Sequence, residues 1–209
     1  MAAVLAISGR AGRSRFRATV DAGFEAPGRV RLELPAPGKP LFTFVANGGE
    51  STLVLPREGR VLRNAPPAAT LDALAGVPLE PDQLREIVAG CGFASGQPTK
   101  AQAFEGGWAS IAIGDATNWL RQTNGAWRIA AATRGPVDVR YDNFVGGRPS
   151  TIRLRTSPTE ENAASDLTIR LSQVDVNQPL GPDVFRVEIP AGAKPLTLDE
   201  LREAGPRGR

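Results

Sequence analysis

Arg29-Val30-Arg31-Leu32-Glu33-Leu34 reads as a strand with Val30, Leu32 and Leu34 on one side and two arginines and a glutamate on the other. Side chains alternate across a strand with period two, so this segment belongs to a sheet with one wet face and one buried face. The pattern recurs in Val137-Asp138-Val139-Arg140-Tyr141-Asp142, in Thr151-Ile152-Arg153-Leu154-Arg155 and in Asp166-Leu167-Thr168-Ile169-Arg170-Leu171. Near the N-terminus Phe16, Ala18 and Val20 share a face opposite Arg15 and Arg17. Very little helix is available to cover the apolar side.

Outward from these segments, strands are expected near 4–10, 14–22, 29–34, 40–46, 51–56 and 60–64. The turns Pro37-Gly38, Asn47-Gly48-Gly49 and Glu58-Gly59 link them too tightly for anything but antiparallel neighbours. A second series is expected near 100–105, 108–113, 118–123, 126–133, 137–144, 150–156, 165–176 and 184–189. Asn124-Gly125 is a strong two-residue hairpin signal within it. In the long segment the apolar parity slips from Leu167, Ile169, Leu171 to Val174, Val176, which predicts a bulge at Ser172-Gln173.

Between the two series the period changes. Thr70 to Gly76 reads as a short helix with Thr70 as N-cap. Pro81 suits the first turn of a second helix, whose face carries Leu84, Ile87, Val88 and Cys91; the cysteine reads there as a small apolar residue. A third helix opens on the capping box Thr197-Leu198-Asp199-Glu200 and carries Leu198 and Leu201. Residues 1–204 read as one domain, and 205–209 as a disordered tail.

Composition narrows the chemistry. With 209 residues, 41% hydrophobic and 22% charged, the chain reads as a soluble globular protein. Its net charge of +3 is small, and the arginines alternate with acids along strands, which describes a solvated face rather than a nucleic-acid patch. With no histidine and one cysteine, no Ser-His-Asp or Cys-His nucleophile system, His-based metal site or internal disulfide is possible. Neither a metal nor a cofactor is expected. The paired acids Glu160-Glu161 and Asp199-Glu200 fall in a loop and a helix start, where solvation or capping explains them. The apolar start, 1–7, is too short for a signal peptide core, and no segment is long enough to span a bilayer.

A meander of about 11 strands at roughly 4.8 Å spacing is on the order of 55 Å wide. Three short helices, each roughly 10 Å across, cannot cover such a face if it stays flat. The sheet must curl, and the result is either a packed core or an apolar cavity. The inward face carries Phe16, Val30, Leu32, Leu34, Phe42, Phe44, Val139, Tyr141, Ile152, Leu154, Leu167, Ile169 and Phe185, with hardly an ionisable group. Trp108, Trp119 and Trp127 on neighbouring strands read first as core, second as cavity wall. Catalysis is not expected.

The closing segment Val176-Asn177-Gln178-Pro179-Leu180-Gly181-Pro182-Asp183-Val184-Phe185-Arg186-Val187, followed by Ile189-Pro190-Ala191-Gly192-Ala193, resembles the last-strand signature of bacterial LolA/LolB-like lipoprotein carriers and receptors. Leu74-Ala75-Gly76-Val77-Pro78-Leu79 before an amphipathic helix is similar to the receptor branch. The resemblance implies a mainly β (α+β) fold, an incomplete antiparallel barrel closed by short lid helices. It implies an apolar cavity that binds lipoprotein acyl chains or a related lipid for delivery to the outer membrane. The wall would be the inward residues from Phe16 to Ile169, and the lid Leu71, Leu74, Leu84, Ile87 and Val88. The setting implied is the periplasm or the periplasmic face of the outer membrane, with the signal segment outside this chain. A monomer is expected, with an envelope protein as a possible further partner. The alternative is a structural or sensory envelope module using the same fold as a docking scaffold. Two departures stand out: no cysteine to be lipidated lies near the N-terminus, and Asn47-Gly48-Gly49-Glu50 is polar where the receptor branch presents an apolar loop residue.

Overall fold

The computed structural model describes residues 1–12, 14–158, 163–177 and 179–204. The Glu160-Glu161 pair and the tail at 205–209 lie outside the described residues, as does Gln178 of the closing segment.

Two hairpin-linked meanders meet at the first strand. β1 (Ala2–Ala11), β2 (Ser14–Glu25), β3 (Arg29–Leu34), β4 (Phe42–Asn47), β5 (Glu50–Leu55) and β6 (Arg60–Ala65) run outward from it in chain order. The second meander comprises β7 (Pro98–Phe104), β8 (Trp108–Ile113), β9 (Ala116–Thr123), β10 (Ala126–Arg134), β11 (Val137–Val145), β12 (Arg148–Thr156) and β13 (Ser165–Asp175). Its last strand, β13, pairs antiparallel with β1 and joins the halves. A two-residue strand, β14 (Lys194–Pro195), adds parallel to β6, giving a 14-stranded sheet with β14 and β7 at its edges. The curled sheet is an incomplete barrel, as expected.

β6 and β7 stand near opposite ends of the strand order, so the chain between them must traverse the sheet. It does so over the concave face as α1 (Pro67–Ala75) and α2 (Pro81–Ala89), while α3 (Leu198–Ala204) packs against α1. One apolar core gathers the inner residues of the sheet together with Leu71, Leu74, Leu84, Ile87, Val88 and Leu201. Asn124 and Gly125 both take positive φ, 51° and 78°, as a type I′ hairpin requires. The bulge falls where the parity slip places it: Ala2 faces Asp175 but Val4 faces Ser172, and Gln173 has φ 49°.

Three local expectations are corrected. α1 starts at Pro67, three residues before Thr70; the Thr70 hydroxyl lies inside the helix and donates to Pro66 O at 3.1 Å. α2 ends at Ala89, where Gly90 adopts the left-handed cap conformation, so Cys91 lies beyond the helix and is exposed. The stretch 184–189 is not a strand. A 3-10 turn, Pro182–Phe185, leads a strap across the outer face of β3 and β4. Arg31 donates to Val184 O and Arg186 O, and Asn47 Nδ2 to Phe185 O at 3.1 Å. Buried Phe185 therefore lies on the convex side, outside the main inner core.

Candidate ligand cavity under the helices

Strand register assembles the wall. Ile152, Ile169, Ile7 and Ala18 stand opposite one another on β12, β13, β1 and β2, and Leu154, Leu167, Gly9 and Phe16 form the next row. Gly9 brings no side chain to its row; a Cβ there would run into Asp166 O and Leu167 Cα, so the backbones of β1 and β13 approach closely at that point. Above these rows lies a cavity of about 100 Å³. Its wall is Leu5, Ile7, Phe16, Ala18, Val20, Leu32, Phe42, Leu154, Leu167 and Ile169; its roof is Leu71, Leu74, Ala75, Val77, Leu79 and Leu84. All of these side chains are apolar, so nothing in the lining holds or moves a proton.

The cavity draws on part of the expected set. Phe16, Leu32, Phe42, Leu154, Leu167 and Ile169 line it from the wall, and Leu71, Leu74 and Leu84 from the lid. Val30, Leu34, Phe44, Val139, Tyr141, Ile152, Ile87 and Val88 lie in the surrounding core without lining it. Leu5 and Ile7 were legible in principle, since they alternate with Ala6 and Ser8 and stand opposite Val20 and Ala18. Val77 and Leu79 sit in the irregular link between helices, where no periodicity marks them.

Polar side chains fasten the roof at its ends. The buried Ser51 hydroxyl, 2.9 Å from Ala65 O and 3.0 Å from Thr70 Oγ1, shares its one hydrogen between the two acceptors. At the far end of α1, Thr156 Oγ1 donates to Gly76 O at 3.1 Å and Ser165 Oγ to Ala75 O at 3.3 Å. α2 is held at its start by Gly28 N–H donating to Asp82 Oδ2 at 3.0 Å. Beyond its end, Gly92 N–H donates to the Tyr141 phenol oxygen at 3.1 Å, and Asn118 makes both hydrogen bonds of a pair with the Phe93 backbone at 2.9 Å. Burial, the largest influence on it, pushes the Tyr141 phenol well above its ordinary pKa, so it stays neutral. Glu86, on the side of α2 away from the cavity, accepts from Ala94 N–H at 2.8 Å and from the Ser95 hydroxyl. None of these polar contacts was foreseen; sequence spacing does not show which strand end a helix end will meet.

The three tryptophans depart from the core reading. β7 and β8 carry no buried residue, while β9 and β10 bury only Ala116, Asn118 and Ala132 among the described residues. Trp108 and Trp119 are half-buried, with Trp119 tilted against Phe104 at 5.7 Å between centroids, and Trp127 is exposed. Asp199-Glu200 does what a helix start predicts: Glu200 accepts from Thr197 N–H at 2.8 Å and from Arg60 at 2.6 Å.

A curled antiparallel sheet roofed by a helical crossover above a wholly apolar cavity defines a class, the incomplete-barrel folds. At the level of sequence, no family model and no curated protein matches the chain. At the level of structure it is similar to a LolA superfamily protein from Nitrosomonas europaea, at 14% identity over 89% of each chain with a TM-score of 0.59. A putative outer membrane lipoprotein-sorting protein domain from Vibrio parahaemolyticus aligns over 88% of each chain at 11% identity and a TM-score of 0.49. The first of these likenesses shows the fold, which is LolA/LolB-like. Among the described residues, no helix is long and apolar enough to cross a membrane.

Proposed function

We propose that this chain is a non-enzymatic binder of acyl chains, those of lipoproteins or a related lipid, working in the periplasm or on the periplasmic face of the outer membrane. The observation that carries the reading is the apolar cavity between a rigid wall and a helical roof. At about 100 Å³ it is smaller than the 150 Å³ cavity that admits benzene in another protein, so a long chain enters only if the roof moves. The energies permit exchange. Burying an acyl chain yields about 0.8 kcal/mol per methylene, roughly 12 kcal/mol for a long chain. Exposing Val77, Leu79, Leu84, Ile87 and Val88, the buried apolar residues of the segment from the end of α1 to the end of α2, costs about 1.5–3 kcal/mol each, or roughly 7–15 kcal/mol in sum. These nearly cancel, so roof and ligand compete for the same wall and the cargo can be released.

Leu84→Glu tests the reading. The buried Leu84 roofs the cavity from α2, and a carboxylate there sets a charge against the apolar space that an acyl chain would occupy. Loading with a palmitoylated peptide, followed by native mass spectrometry, is expected to show bound lipid on the parent and at least a tenfold smaller bound fraction on the variant, with circular dichroism of the sheet unchanged. Equal retention by both removes the roof assignment.

The small size of the cavity favours the second reading, a docking scaffold whose core is filled by its own side chains. Bare protein mass from both proteins after loading selects it.

A further inference from the structure

Phe104, Trp127 and Val145 are the large hydrophobic side chains exposed among the described residues, at 39%, 47% and 72%. In sequence they are far apart; in the fold they sit at one rim. β7, β9 and β11 run in the same direction, so the turns at 105–107, 124–125 and 146–147 share one end of the sheet. Phe104 directly precedes the first, Trp127 follows the second by one residue, and Val145 directly precedes the third. With neighbouring strands roughly 4.8 Å apart, these alternate hairpins span roughly 20 Å.

The arginines of β9 to β12 fall into two groups. Arg134, Arg140, Arg153 and Arg155 are paired with Asp115, Asp138, Asp142 and Asp166. Arg121 and Arg128 instead lie over the rings of Trp108, at 5.2 Å, and Phe144, at 5.4 Å. Arg148 opens β12 beside the third turn. Among the described residues none of these three arginines forms an ion pair, and Glu105 is the one acid in the three turns.

We propose that this rim is a seat on the headgroup layer of an anionic lipid bilayer. Exposed aromatic and aliphatic tips fit the boundary between headgroups and acyl chains, and unpaired guanidiniums beside them complement lipid phosphates. Three separate convex tips form no groove for a peptide, but they suit a planar partner. Strand parity adds a link to the cavity side: Trp127 shares a face with Ile129, which packs against the inner core. The seat does not depend on whether the cavity takes an acyl chain.

Flotation with vesicles of phosphatidylethanolamine containing about one quarter phosphatidylglycerol tests it, with phosphatidylcholine vesicles as the neutral control. The full chain is expected to float with the anionic vesicles, more weakly in high salt. Arg121→Gln and Arg128→Gln are each expected to weaken binding about 5-fold, and Arg57→Gln, at the other rim, to leave it unchanged. In a Trp108→Phe, Trp119→Phe background, Trp127 emission is expected to shift to shorter wavelength on binding. Leu84→Glu should float like the parent, so loss of cargo and loss of the seat are read separately. No flotation of the full chain, no shift of Trp127, or equal losses in Arg57→Gln and the rim variants would overturn the proposal. So would capture by a protein partner through these tips without affinity for the vesicles.

Discussion

Filling the cavity should make the protein more stable and less able to take up an acyl chain, and Ala18→Leu is the substitution to make. Ala18 lines the cavity from β2 and stands opposite Ile7. At about 24 cal/mol per Å³, an empty 100 Å³ withholds about 2.4 kcal/mol of contacts. The three added carbons, at about 0.8 kcal/mol each, offer a similar amount. Part is lost to side-chain ordering and imperfect fit, which leaves a net gain of about 1–2 kcal/mol. For a chain of this size that is a rise in Tm of roughly 3–6 °C, measurable by calorimetry and checked by urea denaturation. Ala22→Leu supplies the control. It is buried on the same strand and face but does not line the cavity, so it should cost about 1–3 kcal/mol through overpacking. Loading with the palmitoylated peptide should fall for Ala18→Leu, because the new side chain occupies the ligand's space. A variant that melts lower than the parent while loading equally well would show that the void is neither empty nor the binding place.

Other consequences concern the fastenings. Tyr141→Phe leaves the buried Gly92 N–H without its acceptor, a cost of about 1–3 kcal/mol, and amide exchange should accelerate at Gly92 and Phe93 while β11 stays protected. In Gly90→Ala the new Cβ would lie 2.6 Å from Pro149 Cδ at φ +79°, so the end of α2 should lift from β12, seen as faster proteolysis after Ala89. Arg60, then Thr197 N–H, hold Glu200 down to about 2, below its ordinary 4.5. A depressed carboxylate pKa stabilises above the unfolded value, so the contribution of Glu200 to the docking of α3 should be full above about pH 4.5 and fade as pH falls towards 2. Glu200→Gln should flatten that dependence in amide exchange at Leu201.

Period-two alternation exposed the inner face because it is a local property: a strand cannot turn one apolar side chain inward without turning its second neighbours inward too. Val30, Leu32 and Leu34 are buried for that reason, and so are Val139 and Tyr141, Ile152 and Leu154, Leu167 and Ile169. The same logic misled at Val184-Phe185-Arg186-Val187, which alternates like a strand but has its carbonyls satisfied by Arg31 and Asn47 side chains. A signal for this was present in β4. Phe42-Thr43-Phe44-Val45-Ala46 is buried on both faces, and a strand of that kind needs cover on its outer side as well. The polar fastenings of the roof were not legible. Thr156 and Gly76, or Tyr141 and Gly92, meet only once the second meander closes on β1, and that is a property of the whole topology.

That topology also says which part of the roof can move. α1 is hydrogen-bonded at both ends by Ser51, Thr156 and Ser165 and is backed by α3, whose Leu201 is fully buried. α2 has no helix behind it. It is held by Asp82 on Gly28 at its start and by Tyr141 and Asn118 acting just beyond its end. Its apolar anchors are Leu84, Ile87 and Val88. α2 thus has fewer supports than α1, which α3 also backs. Opening therefore belongs to the segment from Val77 to Phe93, between the left-handed glycines at 76 and 92. It leaves α1 and the strand rows beneath it as the fixed wall against which a ligand chain would lie.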